Sequence, residues 1–194
     1  MTRVPLIQGE RVYLRHPMRS DLHAFQELRR ISRDLHRPWE PAPDEGVDPY
    51  GEDAYLRFLT DADTNTSQRH LVCRTSDHAL VGYVGLSQII MGPFCSCYIG
   101  YWTGAPHTGL GHATEAVALG LVRAFTQIGL HRVEANIIPD NGPSLAVVRR
   151  CGFREEGYSP RYLKIAGTWR DHTRWAITVE DWKRQQASAQ HQPG

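Results

Sequence analysis

The feature that most constrains this chain is a glycine-rich turn that joins a strand pattern to a helix pattern across residues 98–117. Aromatic and β-branched residues at 98–103 are typical of a strand, and Gly104, Pro106, Gly109 and Gly111 then break it. Apolar residues next recur every three or four positions, as on the buried face of a helix: Val117, Leu121, Ala124, Phe125 and Ile128. The first N–H groups of such a helix lack partners and favour an anion. The stretch therefore predicts either a phosphate-binding turn or an ordinary strand-to-helix connection.

The spacing of this turn excludes two well-known nucleotide motifs. Gly109 and Gly111 form G-x-G, but the next small residue is Ala113, so the dinucleotide fingerprint G-x-G-x-x-G is absent. No Gly-Lys-Ser/Thr occurs either, which excludes a P-loop.

Length and charge narrow the class of protein. A chain of 194 residues suits one domain, which we place at residues 1–182, with a polar and disordered tail at 183–194. A net charge of +1 argues against nucleic acid or an anionic membrane as a partner.

The sequence predicts the cellular compartment through the targeting and cysteine patterns that it does not contain. There is no signal-peptide pattern and no apolar run near the ~20 residues of a membrane span. The four cysteines form no C-x-x-C pair, and no histidine cluster has zinc-ligand spacing. These observations predict a cytoplasmic protein with reduced thiols and no metal site.

Periodicity and turn residues predict an α/β chain with a mixed sheet of about seven strands and flanking helices. Short loops join three central strands, which predicts an antiparallel meander, whereas the strand–helix–strand order across 98–138 requires one parallel pair. Three prolines in 36–43 predict a surface loop. The predicted strands are 10–15, 69–74, 80–90, 94–103, 131–138, 158–165 and 168–179. The predicted helices are 20–31, 49–60, 111–128 and a last one that Asn141 caps and that runs through Arg150.

Two motif blocks carry a resemblance to a known family. Thr108-x-x-Gly111-x-Ala113 lies in the turn, and Asn141-x-x-Ser144 is followed by Arg150 at the start of an Arg-Cys-Gly-Phe sequence. Together they resemble the GNAT acetyltransferase superfamily. Segments 37–41, 97–101, 131–136, 162–163 and 169–172 are similar to its RimJ-type branch, the ribosomal-protein-alanine N-acetyltransferases. The resemblance covers roughly residues 8–182.

The resemblance implies a V-splayed sheet with acetyl-CoA in the opening between the strands that end at Thr103 and Ile138. It implies that the pantetheine arm pairs with the backbone of Tyr101, Trp102 and Thr103. The diphosphate would lie on the turn amides of Gly109, Leu110, Gly111, His112, Ala113 and Thr114. Family members usually carry Gln or Arg where this chain has Thr108, so a side-chain contact to phosphate is weaker here or is replaced.

The resemblance also suggests roles for three residues after the second strand, and each has a structural alternative. Ser144 matches the serine that bonds the departing sulfur, but it also suits a helix cap. Asn141 matches a pantetheine contact and is equally suited to an N-cap. Arg150 is a candidate for the CoA phosphates or a solvated residue at a helix end.

The sequence does not identify which residue acts as the general base. Some relatives carry a glutamate between the final strands, where this chain has no carboxylate at 162–165. Glu134, Glu40 and Asp171 are the candidates, and each also suits a structural role. At pH 7, removing a proton costs about 1.4 kcal/mol for an α-amine and about 4.6 kcal/mol for a lysine. A weak base therefore favours an α-amine acceptor.

Three functions are consistent with these residues. The first is acetyl-CoA-dependent N-acetylation of a protein N-terminus, such as that of a ribosomal protein, by a monomer or homodimer. The second has a small amine as acceptor, such as an aminoglycoside or polyamine, held by the acidic cluster Asp44, Glu45, Asp48, Glu52 and Asp53. The third is a non-catalytic CoA-binding assembly factor.

Overall fold

The computed structural model describes residues 4–190 and shows one open, mostly antiparallel sheet with flanking helices. Over these residues the sheet has eight strands in the order β1-β2-β3-β4-β5-β6-β8-β7. The predicted number was about seven, and the additional strand is the two-residue β1. The strands are β1 Ile7–Gln8, β2 Val12–Arg15, β3 Ser67–Arg74, β4 Leu80–Ile90, β5 Ser96–Thr103, β6 Arg132–Ile137, β7 Arg154–Ile165 and β8 Thr168–Thr178.

The described part of the chain has six α-helices: α1 Leu22–Ile31, α2 Arg33–His36, α3 Glu52–Thr60, α4 His112–Val122, α5 Gly142–Arg150 and α6 Val179–Gln190. The chain continues from α4 through a π-helical segment at Arg123–Ile128, and Gly129 ends it with a φ of 81°. No helix within residues 4–190 has the length and apolarity that a membrane span requires.

The sheet opens between β5 and β6. The meander β3-β4-β5 is antiparallel and β5-β6 is parallel, which confirms both topological predictions. The parallel ladder contains three pairs and ends with Tyr98 opposite Glu134. Beyond that pair the two strands separate, so the β6-facing backbone of β5 up to Thr103 has no strand partner.

The two faces of the sheet are covered differently. Cys97, Ile99 and Val133 point toward α4 and α5 and belong to the main hydrophobic core. Helix α4 approaches the sheet closely at Gly120, which has no side chain. A Cβ there would lie 3.2 Å from Ile99 and 3.3 Å from Val84. The opposite face of β4 and β5 carries an aromatic cluster with α1 and α3: Phe25, Tyr55, Phe58, Tyr83 and Trp102.

Two predictions about local structure are corrected. The 36–43 segment is not wholly irregular, because α2 reaches His36 and a 3-10 turn covers Arg37–Trp39. Pro38 is tolerated there because the first residues of a helix have no intrahelical N–H partner to lose.

The predicted disordered tail is helical as far as Gln190. Thr178 accepts a hydrogen bond from the Asp181 amide, and Trp182 packs 5.5 Å from Phe125, so the helix begins on the core. Gln185 donates to the Gly152 carbonyl at 3.2 Å. Residues 191–194 lie outside the described part of the chain.

Candidate active site

The glycine-rich turn has the backbone geometry of an anion site. Gly109 and Gly111 adopt left-handed conformations with φ of 74° and 80°. Gly111 is the N-cap of α4, and it has no side chain with which to cap the helix. The first N–H groups of α4 therefore face the turn, where the helix dipole adds partial positive charge. Thr108 donates its hydroxyl to the Ala105 carbonyl at 3.1 Å, so it stabilises the turn itself.

Arg11 supplies a cation at this turn, and the sequence analysis missed it. Its Nη1 lies 2.7 Å from the place that a Cβ on Gly111 would occupy. Glu115, in the first turn of α4, accepts from the Arg11 amide at 2.9 Å and so holds the start of β2 beside the turn. Arg11 is about 100 residues from the turn in sequence, and no local pattern connects them.

The predicted Asn141 and Ser144 meet β5 at the opening of the sheet. Asn141 caps α5, because its Oδ1 accepts from the Ser144 amide at 3.2 Å. The Tyr101 hydroxyl lies 2.8 Å from the Ser144 hydroxyl and 3.1 Å from the Ser144 carbonyl oxygen, and its single proton can be donated to either of these two oxygens. Burial raises the pKa of Tyr101, so its hydroxyl stays protonated. The structure thus places two hydroxyl groups where the strands separate.

The end of α5 lies beside the start of α4. Cys151, which follows α5, has its sulfur 3.4 Å from the Thr114 carbonyl in the first turn of α4. Arg150 precedes it and is exposed to solvent.

Trp102 contributes its backbone to the opening, while its side chain lies on the opposite face. The ring packs 5.3 Å from His36, and the Arg29 guanidinium lies 5.2 Å above it. His36 Nε2 is 2.9 Å from the Thr103 carbonyl, which fixes the end of β5. Burial lowers the pKa of His36, so this imidazole is neutral at pH 7 and donates to that carbonyl.

The three candidate carboxylates lie in different environments. Glu134 is at the last β5-β6 pair and accepts from Arg132 at 2.8 Å. Both Glu40 oxygens accept from Arg29, at 2.6 and 2.8 Å, so this carboxylate joins α1 to the segment after α2. Asp171 accepts from the Tyr158 hydroxyl and from the Arg161 amide, and these hydrogen bonds lower its pKa.

A polar cluster that the sequence analysis did not identify lies on β6, β7 and β8. Asn136 donates to the Tyr162 hydroxyl at 3.2 Å, and the Tyr162 ring is 5.4 Å from His172. A shift in strand register between Ser159 and Leu163 brings Tyr162 over these two residues. Sequence patterns gave no signal for this bulge.

A cavity of about 480 Å³ lies between the segment after α2, the 41–50 loop and the β7-β8 turn. Its charged lining residues are Arg33, Arg37, Glu40 and Asp48. Glu40 is paired with Arg29, and Asp48 accepts from the Tyr50 amide at 2.9 Å. The cavity therefore has a mixed lining and no dense group of free carboxylates.

Comparison with known proteins identifies the family. Residues 11–154 match the acetyltransferase (GNAT) domain, so this chain belongs to the GNAT acetyltransferase family. That membership confirms the predicted N-acetyltransferase class, its acetyl-CoA cofactor and its open sheet.

Individual relatives are similar over most of the chain. The [ribosomal protein uS5]-alanine N-acetyltransferase of Escherichia coli is 33% identical over 153 residues, covering 78% of this chain and 79% of that protein. The spermidine N(1)-acetyltransferase of Vibrio cholerae is 26% identical over 175 residues, covering 84% and 91%. The structure of Mycobacterium smegmatis RimJ in complex with CoA-disulfide matches with a TM-score of 0.82 and 34% identity, covering 92% of this chain and 89% of that one.

Proposed function

We propose that this enzyme acetylates the N-terminal α-amine of a protein, with an alanine-terminated ribosomal protein as the favoured acceptor. The observation that carries the proposal is the separation of β5 from β6 after Tyr98 and Glu134, which leaves a slot between the turn and the Tyr101–Ser144 hydroxyl pair. The similarity to the uS5-alanine enzyme supports the choice of acceptor.

The residues at the slot fit acetyl-CoA, which supplies the activated acetyl group as a thioester. The free β5 edge at Tyr101, Trp102 and Thr103 offers backbone partners to the amides of the pantetheine arm. The turn amides at 109–114 and the Arg11 guanidinium offer donors to the diphosphate. We assign to Arg11 the phosphate contact that family members make with the Gln or Arg at the position of Thr108, and to Arg150 a second one.

The Ser144 hydroxyl is proposed to donate to the departing sulfur. Tyr101 supports this role when it donates its proton to Ser144 Oγ at 2.8 Å, because the serine proton is then free to point at the sulfur. The resulting order along the slot is phosphate donors at the turn, backbone partners along β5 and a hydroxyl donor at α5.

We propose that the acceptor enters through the 480 Å³ cavity, whose lining favours a protein N-terminus over a polyamine. A polyamine needs several free carboxylates, but the lining includes Arg33 and Arg37, and its Glu40 is already paired. The acidic residues Asp44, Glu45, Glu52 and Asp53 are solvent-exposed and do not line the cavity. The volume is within the usual range of ligand sites, roughly 300–1,000 Å³.

Thiol release from acetyl-CoA with two acceptor panels tests the function. We expect turnover with peptides that have a free N-terminal alanine, serine or threonine, and little with Nα-blocked lysine peptides, spermidine or aminoglycosides. Turnover confined to the small amines would overturn the proposal. CoA binding without turnover on either panel would favour a non-catalytic CoA-binding factor.

Replacing Ser144 with alanine tests the hydroxyl assignment. We expect kcat to fall about tenfold, equivalent to about 1.4 kcal/mol of transition-state stabilisation, while the calorimetric Kd for CoA changes less than about twofold. Ser188→Ala is the matched control, because Ser188 is an exposed helical serine that donates to the Arg184 carbonyl. Equal kcat values for the wild type and Ser144→Ala would remove Ser144 from the chemistry.

We also infer that the enzyme acts in the cytoplasm. All four cysteines are free, as in a protein kept in a reducing compartment.

A further inference from the structure

His172 is a buried histidine whose tautomer is set by its surroundings. Its Nδ1 lies 3.0 Å from the Arg170 carbonyl oxygen. Because a carbonyl oxygen only accepts, Nδ1 must carry the proton. In the neutral imidazole, Nε2 then has a free lone pair.

A second acceptor lies close to this imidazole. Asn136 uses its Nδ2 to donate to Tyr162, while its Oδ1 is buried and has no hydrogen-bond partner among residues 4–190. A buried amide oxygen without a partner is costly, and an incoming N–H group would satisfy it. Tyr162 contacts Asn136 through its hydroxyl and His172 through its ring, so the three side chains form one polar cluster.

The cluster borders the slot on the face opposite α5. Asn136 lies two residues beyond Glu134, where β5 and β6 have separated. Side chains alternate along β6, and Ala135 and Ile137 join the core beneath α5, so Glu134 and Asn136 face the other way. His172 immediately precedes Thr173, the residue that pairs with Ile137 at the end of the β6-β8 ladder.

We propose that His172 is the general base of the reaction and that Asn136 orients the acceptor amine, an assignment that rests on the acetyltransferase function proposed above. The amine donates one N–H to Asn136 Oδ1 and directs another toward His172 Nε2. As nitrogen bonds to the acetyl carbonyl carbon and the carbon–sulfur bond breaks, the nitrogen's proton passes to Nε2 and then to solvent. CoA leaves as the thiolate, which Ser144 stabilises and solvent protonates.

The environment keeps the imidazole in its basic form. Burial lowers the pKa of His172, and the nearby Arg170 guanidinium lowers it further, whereas Asp171 raises it. Tyr162 faces the ring from β7 with a phenol, and Asn136 on β6 is uncharged. The net pKa is below the ordinary value of about 6.5, so His172 is neutral at pH 7 and is protonated only in mild acid.

His172→Asn tests the base, because an asparagine amide can still donate to the Arg170 carbonyl but has no group at the Nε2 position. We expect kcat to fall about 100-fold with an alanine-terminated peptide, with the Kd for CoA unchanged. In the wild type, a plot of log(kcat/KM) against pH should rise with slope 2 below the His172 pKa. Above that pKa it should rise with slope 1 until the amine itself is deprotonated. The variant should keep slope 1 throughout, because only the amine then titrates. His131→Gln, at an exposed histidine before β6, should match the wild type.

Nitrogen-15 NMR of histidine-labelled protein with bound CoA tests the assignment without turnover. We expect the Nδ1-H tautomer at His172, a pKa below 6.5, and a shift on adding an alanine-terminated peptide but not its Nα-acetylated form. A wild-type pH slope in His172→Asn, an Nε2-H tautomer, or no response to the free amine would each overturn the proposal. If no acceptor is turned over, the proposed function fails, and the NMR titration alone decides whether this cluster binds an amine.

Discussion

Replacing Gly111 with alanine is expected to weaken CoA binding about tenfold or more. A Cβ at this position would lie 2.7 Å from Arg11 Nη1, so the guanidinium must shift from its present place beside the turn. A charge-assisted hydrogen bond contributes about 1.5–3 kcal/mol, and about 1.4 kcal/mol corresponds to a factor of ten. The measurement is the calorimetric Kd for CoA, which needs no knowledge of the acceptor.

Gly109→Ala is the matched control for this effect. Gly109 has a similar φ of 74°, but a Cβ there would meet nothing within 4 Å. Both variants therefore carry a similar backbone strain of roughly 1–2 kcal/mol, and only Gly111→Ala also displaces Arg11. Arg11→Ala should reproduce the loss of affinity, and the double variant should lose little more. Equal Kd values for the two glycine variants, or no effect of Arg11→Ala, would contradict the phosphate role of Arg11.

Replacing Asp21 with alanine is expected to cost about 3–5 kcal/mol of folding free energy, because it leaves a charged guanidinium buried without its partner. Arg15 and Asp21 form two hydrogen bonds of 2.6 and 2.7 Å, with side chains only 3% and 2% exposed. Asp21 also accepts from the Met18 amide at 2.8 Å just before α1. Urea titration with an unchanged m-value would measure the loss.

The exposed pair Arg74–Asp77 is the control for this ion pair. Its geometry is similar, with a distance of 2.6 Å, but the Asp77 side chain is 50% exposed. Water solvates whichever partner remains, so Asp77→Ala should change the denaturation midpoint far less than Asp21→Ala. Similar midpoints for the two variants would show that burial of the Arg15–Asp21 pair contributes little to folding.

Local signals determined much of the fold. The glycine-rich turn and the apolar spacing after it placed β5, the turn and α4 correctly, because turn geometry and helix periodicity depend on neighbouring residues. The same reasoning predicted that Asn141 caps α5, which the structure confirms. Where the sequence analysis failed, at 36–43 and 183–190, the deciding contacts were tertiary, such as Trp182 against Phe125.

The sequence alone also determined the family and the cofactor, and it supplied the candidate backbone elements of the site, because these reside in short motifs with fixed spacing. Only the tertiary structure decided which side chains surround that backbone. Arg11 reaches the turn through strand packing, Tyr101 meets Ser144 across the opening, and a bulge in β7 brings Tyr162 over Asn136 and His172. These contacts join residues that are tens of positions apart, and strand pairing and register set them, so no local pattern could indicate them.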